Sequence, residues 1–264
     1  MTRTISKSIA AVVEELELTQ PQVVTMASLA EIAAQVGSRV RPRDLALRLV
    51  RHGWLLPTVS RGTWEFVPGV RAGAYSTNDP WLPLRGHLAR GLSDPPRVAL
   101  LSALWEHGLL DRSPERHEIS YRPGVYVPKA LGVIYRVTRF SPALPPKLLR
   151  GLPVDAEATV LVQVAARPRL VRSWAALLEV LPEVTARVTE AQILAELEGR
   201  SFAVRARCGY LLGPYAPHLL SELSSAPGGV TWFGPRGTVR RSDTEWNVVD
   251  TILPRSPGHG EDAR

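Results

Sequence analysis

Apolar residues recur at three- and four-residue steps through the first fifth of the chain, the spacing that places side chains on one face of an α-helix. The spacing predicts helices over residues 5–17, 27–36 and 42–52. Ser28 followed by Glu31 fits a capping box at the start of the second helix, and Pro42 suits the first turn of the third. Gly53 stands where the third helix should end, because glycine readily takes the left-handed conformation found after a helix C-terminus.

Two short runs of strand-forming residues follow the third helix and flank a turn. Residues 54–56 read Trp-Leu-Leu and residues 63–67 read Thr-Trp-Glu-Phe-Val, with Ser60-Arg61-Gly62 between them. Two such runs around an Arg-Gly turn predict a β-hairpin. Three helices followed by a hairpin are the element order of a winged helix-turn-helix, which we predict for residues 1–75.

The rest of the chain mixes helical and strand patterns. Residues 68–96 are rich in proline and glycine and predict a linker or irregular packing segment. The patterns predict helices over 97–108, 170–181, 185–198 and 201–212, strands over 121–127 and 132–137 within 117–140, and either a strand or a buried helix over 154–164. The fold class is therefore α+β, an N-terminal winged helix-turn-helix with a larger mixed α/β C-terminal domain over residues 76–254. The polar residues 255–264 predict a disordered tail.

Composition narrows the class of protein. Hydrophobic residues make up 45% of the 264 residues, which is enough to bury a core. Runs of about 18 apolar residues are absent, so we expect no membrane-spanning helix. Glu14, Glu15 and Glu17 stand where a signal peptide would be apolar, and the single cysteine, Cys208, fits a reducing compartment. We therefore expect a cytoplasmic protein without a membrane partner.

Positive charge is concentrated in the predicted winged helix. The formal net charge of the chain is +7, and residues 39–71 contain seven arginines against only Asp44 and Glu65. A local positive excess of this size predicts a surface that binds phosphate. The general preference for arginine over lysine is typical of a GC-rich genome, and we expect a high-GC bacterium, such as an actinobacterium, as the source.

The predicted winged helix suggests how that charge would be used. The second helix of a helix-turn-helix pair enters the major groove, where arginines can reach guanine edges or phosphates, and a hairpin tip can contact phosphates or the minor groove. The predicted DNA-binding residues are Arg39, Arg41, Arg43, Arg48, Arg51, Thr58, Ser60, Arg61 and Thr63. The predicted partner is double-stranded DNA, which would associate the protein with the nucleoid. The alternative is that these arginines form only a solvated face.

Patterns of catalytic or metal-binding residues are missing from the sequence. The six histidines do not form the paired spacings of zinc sites, and nucleotide-binding and nucleophile-elbow motifs do not occur. We therefore expect no catalytic residue, no metal, no cofactor and no enzymatic activity. Two alternatives stay open: a winged helix that binds another protein and not DNA, and a nucleic-acid-processing enzyme, which would need clustered carboxylates for a metal.

Two segments resemble the AbiEi-type antitoxins of type IV toxin–antitoxin systems. Residues 49–55 lead into residues 60–64 in an order that resembles the family's pattern of helix, glycine, strand, Arg-Gly and strand, with Trp64 where a tyrosine is common. Arg167-Pro168 followed by Trp174, and residues 206–212 (Ala-Arg-Cys-Gly-Tyr-Leu-Leu), resemble its helical half with an Arg-x-Gly-Tyr-Leu motif. The likeness covers about residues 20–70 and 95–215.

The resemblance implies a transcriptional repressor that binds inverted repeats in its own promoter. It also implies a partner, a nucleotidyltransferase-like toxin encoded beside the antitoxin, whose action the protein would counteract. Charge and spacing by themselves do not indicate the toxin. The sequence leaves open the operator, the role of the C-terminal domain in DNA binding, and whether neutralisation needs direct contact. It also leaves open the oligomeric state, for which a monomer that binds DNA cooperatively is one option.

Overall fold

The structure, a computed structural model, describes residues 7–71, 79–223 and 229–254. The chain divides into two compact units. The first comprises Met1–Pro95 and Tyr126–Ile134, and the second comprises Pro96–Val125 and Tyr135–Arg264. The domain boundary predicted after residue 75 and the predicted tail at 255–264 both lie outside the described residues.

Helices pack on a small antiparallel sheet in the first unit. The elements are α1 (Lys7–Thr19), β1 (Val23–Thr25), α2 (Met26–Gln35), α3 (Pro42–Arg51), β2 (Leu55–Pro57) and β3 (Thr63–Phe66). The strands lie in the order β1-β3-β2, and β3 pairs antiparallel with both neighbours. Leu16, Leu29, Leu45, Leu49 and Phe66 are among the side chains that fill the core between helices and sheet. This order and pairing form the winged helix-turn-helix that the sequence predicts.

The three helices predicted for the first unit are confirmed, with α2 and α3 ending within one residue of the prediction, but the predicted N-cap of α2, Ser28, is wrong. The residue that caps α2 is Thr25, whose side chain accepts a hydrogen bond from the Ser28 N–H at 3.0 Å. The Ser28 hydroxyl accepts in return from the Thr25 N–H at 2.9 Å, so Ser28 is the inner partner of the capping box. Strand β1 was not predicted, because a three-residue strand is too short to show a period.

Part of the predicted linker at 68–96 is a helix of the first unit. Helix α4 (Leu82–Leu88) packs against β1 and β3, with Leu84 buried and Trp81 buried just before it. Pro83 and Gly86 lie inside this seven-residue helix, and both residue types are typical of loops, which concealed it. The sheet of the winged helix is therefore covered by an element that the sequence pattern did not show.

Two sheets and several helices form the second unit. The first group of elements is β4 (Arg97–Val98), α5 (Leu100–Glu106), β5 (Glu118–Tyr121), β6 (Arg136–Arg139), β7 (Lys147–Leu149) and β8 (Leu152–Val154), and α6 (Lys129–Ile134) between them belongs to the first unit. The second group is α7 (Glu157–Ala166), α8 (Trp174–Ala186), α9 (Glu190–Leu197), α10 (Phe202–Leu212), β9 (Thr231–Phe233), β10 (Arg241–Asp243) and β11 (Val248–Asp250). A mixed five-stranded sheet has the order β6-β5-β4-β8-β7, and a three-stranded sheet has the order β10-β11-β9. The α+β class is confirmed.

The central element of this unit is α7, which contacts α5, α9 and α10 and is buried from Glu157 to Ala165. For residues 154–164 the sequence predicts either a strand or a buried helix, and the structure shows a buried helix that follows β8. The strand predicted over 132–137 is wrong in its first half, because Lys129–Ile134 is helical and β6 begins only at Arg136. Among the described residues, no helix has the length and apolar character needed to cross a membrane.

Candidate nucleic-acid interface

Helix α3 has one buried side and one outward side. Leu45, Ala46 and Leu49 are buried in the core of the winged helix. The exposed residues opposite them are Arg43, Leu47, Arg48 and Arg51, which we call the basic face of α3. Positions 43, 47 and 51 are four residues apart, so their side chains follow one stripe along the helix. Ala46 packs inward beside the two leucines and is not part of this face.

Three arginines surround the N-terminal end of α3. Arg39 is exposed, Arg41 is the N-cap residue, and Arg43 lies in the first turn. The Arg41 side chain is 88% exposed, and its Nε lies 3.2 Å from the Asp44 carboxylate. An exposed pair of this kind stabilises little in water, so a phosphate can compete for the guanidinium. The first N–H groups of the helix point the same way and also favour an anion.

The turn between β2 and β3 is fixed at its base and at its tip. The Thr58 N–H donates to the Thr63 carbonyl at 3.2 Å, and the Gly62 carbonyl accepts from the Met26 N–H at the start of α2, also at 3.2 Å. Gly62 has a φ of +77°, a conformation that glycine takes without strain. Val59 and Arg61 are the exposed side chains of this turn. Arg61 is therefore presented to solvent from an anchored backbone.

The hydroxyl groups of the turn face inward. Thr63 is 3% and Ser60 8% exposed, and the Thr63 hydroxyl donates to the Ser60 carbonyl at 2.7 Å. The hydroxyls of Thr58 and Thr63 share a hydrogen bond. Helix α4 lies against this cluster, since a Cβ at Gly86 would be 3.0 Å from the Thr63 hydroxyl oxygen and 3.1 Å from that of Thr58. These hydroxyl groups therefore face α4 and hold the turn against it, whereas the arginines are exposed.

The Arg-x-Gly-Tyr-Leu motif joins α10 to the C-terminal sheet. The Arg207 Nε donates to the Trp232 carbonyl at 2.8 Å and its Nη1 to the Ala166 carbonyl at 3.2 Å, while the Tyr210 hydroxyl donates to the Asp250 carboxylate at 3.0 Å. The Trp246 ring packs against the Gly209 backbone so closely that a Cβ there would be 2.3 Å from it. The motif thus holds β9 and β11 against α10 and presents no reactive group.

The single cysteine is also a structural residue. Cys208 lies buried between these contacts, and burial raises the pKa of its thiol to about 12, which keeps it protonated. Within residues 7–71, 79–223 and 229–254, side chains of His, Cys, Asp and Glu do not cluster in threes that could hold a metal ion. The exposed arginines of the first unit therefore remain the strongest candidate for a binding surface.

Comparison with known proteins finds a family match in the second half of the chain. Residues 97–214 match the family model described as the AbiEi antitoxin C-terminal domain. The chain is also similar to a solved structure, the crystal structure of the RV2827C protein from Mycobacterium tuberculosis, with 29% sequence identity and a TM-score of 0.77 over 96% of this chain and 94% of that chain. Curated proteins give no match. Residues 97–214 are therefore similar to the C-terminal domain of AbiEi antitoxins.

Proposed function

We propose that the protein is a sequence-specific DNA-binding repressor that regulates its own operon as the antitoxin of a toxin–antitoxin pair. The observation that carries the DNA-binding part is the basic face of α3, where Arg43, Arg48 and Arg51 point outward from the second helix of a helix-turn-helix. A helix in this place of a winged helix enters the major groove. We keep the predicted partner, double-stranded DNA, and the predicted lack of enzymatic activity as parts of this proposal.

The size and charge of the surface support a duplex as the ligand. An α-helix with its side chains is about 10–12 Å across, which suits a major groove about 12 Å wide, and the ten residues of α3 extend about 15 Å along it. DNA carries one negative charge for about every 1.7 Å of its axis, so several guanidinium groups can contact phosphates at once. Arg39, Arg41 and Arg61 extend the charge beyond α3 at its N-terminal end and on the hairpin turn. Phosphate contacts give affinity, and base contacts from the same face would give specificity.

The test is a salt titration of binding to the chain's own promoter. The logarithm of the binding constant should fall linearly with the logarithm of the salt concentration, with a slope of about −5 if all six arginines contact phosphates. Arg41→Ala with Arg43→Ala should weaken operator binding and flatten the slope by about two units, because each lost contact removes about one. Footprinting on the same DNA should show protection of inverted repeats.

A matched variant controls for net charge. Arg112→Ala with Arg236→Ala removes two exposed arginines of the second unit and should leave the slope near the wild-type value. Thermal unfolding should be unchanged in both double variants, since all four side chains are exposed. An unchanged gel-shift titration for the Arg41 and Arg43 variant would overturn the assignment of these residues to DNA.

The second part of the proposal concerns the toxin. The AbiEi antitoxin domain at 97–214 supports a partner that this domain counteracts, and we propose a nucleotidyltransferase-like toxin encoded beside it. Coexpression of the adjacent gene with the full chain should restore growth that the toxin alone arrests. The Arg41 and Arg43 double variant, expressed from a constitutive promoter, should restore growth equally while failing to repress the operon. Loss of both activities together would contradict a division of the two functions between the two units.

A further inference from the structure

One apolar side chain lies in the middle of the basic face of α3. Leu47 is 62% exposed, whereas Leu45 and Leu49 on the same helix are completely buried. An α-helix turns about 100° per residue, so Leu47 lies about 40° from Arg43 on one side and about 40° from Arg51 on the other. Leu47 is therefore the central residue of the outward stripe, directly opposite the side that packs into the core.

A ligand that contacts both flanking arginines also covers Leu47. Arginine side chains are longer than leucine and can reach outward to the phosphates that border a groove, while a shorter side chain in the centre of the helix faces the groove floor. The apolar group on the floor of the major groove is the C5 methyl of thymine. We propose, building on the proposed DNA-binding function, that Leu47 is a specificity-determining residue that contacts a thymine methyl group in the operator.

Charge favours DNA over a protein as the partner that covers this leucine. Guanidinium groups stand on both sides of Leu47 along its stripe, and Arg48 follows it on the helix. A protein partner would need carboxylates at each of these places around an apolar centre. A thymine-containing duplex supplies phosphates at the border and a methyl group at the centre in one ligand.

The experiment compares thymine with uracil, which lacks only the methyl group. The full chain first selects its best sites from a pool of random duplexes, and each thymine of the selected site is then replaced singly by uracil. For the wild-type protein, uracil at one position, or at two adjacent ones, should weaken binding about fourfold, the effect of removing one buried methyl group. Leu47→Ala should bind the thymine duplex as weakly as the wild type binds the uracil duplex, and should no longer distinguish the two bases there.

Leu18→Ala is the matched control, because Leu18 is an 80% exposed leucine on α1. It should retain the full preference for thymine. The proposal is overturned if Leu47→Ala keeps the wild-type preference at every position, if it loses affinity equally for all duplexes, or if it changes the oligomeric state and not the base preference. Selection of a defined site without any methyl-dependent position would overturn this inference alone. Failure to select any site would overturn the proposed function as well.

Discussion

The exposed arginines of the winged helix and the connecting arginines of the second unit are used in opposite ways. In the winged helix, Arg39, Arg43 and Arg51 are exposed and point away from the core. In the second unit, Arg136 lies 3.1 Å from the buried Glu118 carboxylate, and Arg207 donates to two backbone carbonyls. The same side chain is therefore a surface charge at one place and a connector between elements at another. The number of arginines in the sequence does not distinguish these uses, but the hydrogen-bond partners of each guanidinium group do.

The internal arginines depend on exact fit with their neighbours. The guanidinium carbon of Arg200 lies 4.1 Å from the centre of the Phe140 ring, and its Nε donates to the Glu196 carbonyl at 3.0 Å. An arginine used in this way fixes one element against another, and its removal leaves acceptors without a donor. Arg43 and Arg51, which are exposed on α3, should contribute little to folding. Substitutions should therefore separate stability in the second unit from binding in the first.

The largest change in stability is expected at Gly209, where the Arg-x-Gly-Tyr-Leu motif packs against the Trp246 ring. Gly209→Ala should lower the free energy of unfolding by about 3 kcal/mol, because its Cβ would lie 2.3 Å from the Trp246 ring and the ring cannot move without breaking its packing. Urea denaturation followed by tryptophan fluorescence measures this change.

A second glycine provides the control for helix propensity. Gly132 lies in α6, and a Cβ there would meet nothing within 4 Å. Gly132→Ala should be neutral or stabilising by up to about 1 kcal/mol, because alanine favours a helix over glycine. Equal stabilities for the two alanine variants would mean that the Arg-x-Gly-Tyr-Leu motif does not need its glycine for packing.

The second effect concerns the buried partner of Arg136. Glu118 accepts hydrogen bonds from the Leu101 N–H at 2.9 Å and from Arg136, yet burial outweighs these contacts and raises the pKa of its carboxyl group to about 7. The folded state then holds this proton more tightly than the unfolded state, whose carboxyl has an ordinary pKa of 4.5. The stabilisation from Glu118 is complete below pH 4.5 and is lost as the pH rises through 7.

Urea midpoints at pH 5 and pH 8 measure this linkage. The wild-type protein should be more stable at pH 5, and Glu118→Gln should reduce the difference between the two pH values by at least about 1.4 kcal/mol, the equivalent of one pKa unit. Asp155 should retain a smaller effect of the same sign in the variant, because burial raises its pKa to about 6. A pH dependence that is identical in the two proteins would show that Glu118 does not titrate in this range.

The sequence predicts well those features that depend on local spacing. The helices of the winged helix, Pro42 at the start of α3 and the left-handed Gly53 after its end follow from residues that are neighbours in the chain. The outward direction of Arg43 and Arg51 follows from the same spacing. Each of these predictions needs only the period of a helix or the conformation of one residue.

Predictions that depend on distant contacts fail. The inward direction of the Thr63 hydroxyl depends on α4, whose Gly86 lies 23 residues further along the chain. The helix α6 forms in spite of the β-branched residues at its end, and Leu131 in its middle is buried.

The third effect tests the hydroxyl cluster under α4. Gly86→Ala should lower the free energy of unfolding by about 1 kcal/mol, because its Cβ would press on the hydroxyl oxygens of Thr58 and Thr63 at 3.0–3.1 Å. In a Thr58→Ala background the same substitution should cost less, since one of the two close contacts is gone. The double-mutant cycle gives the coupling between the two positions. Additive costs would mean that the turn does not pack on α4 as described.

The smallest effects are expected from two single substitutions, one of an exposed arginine and one of an arginine that donates to backbone carbonyls. Arg61→Ala should flatten the salt dependence of operator binding by about one unit, because Arg61 is exposed on the hairpin turn and has a phosphate within reach in the proposed complex. The unfolding midpoint of this variant should not change.

Arg240→Ala also removes one positive charge, but the Arg240 side chain donates to the Ile252 and Leu253 carbonyls at 3.0 and 2.8 Å. That variant should unfold more easily and keep the wild-type slope, because Arg240 serves the fold of the second unit. The reverse pattern, an altered slope for Arg240→Ala and none for Arg61→Ala, would move the DNA-binding surface from the winged helix to the second unit.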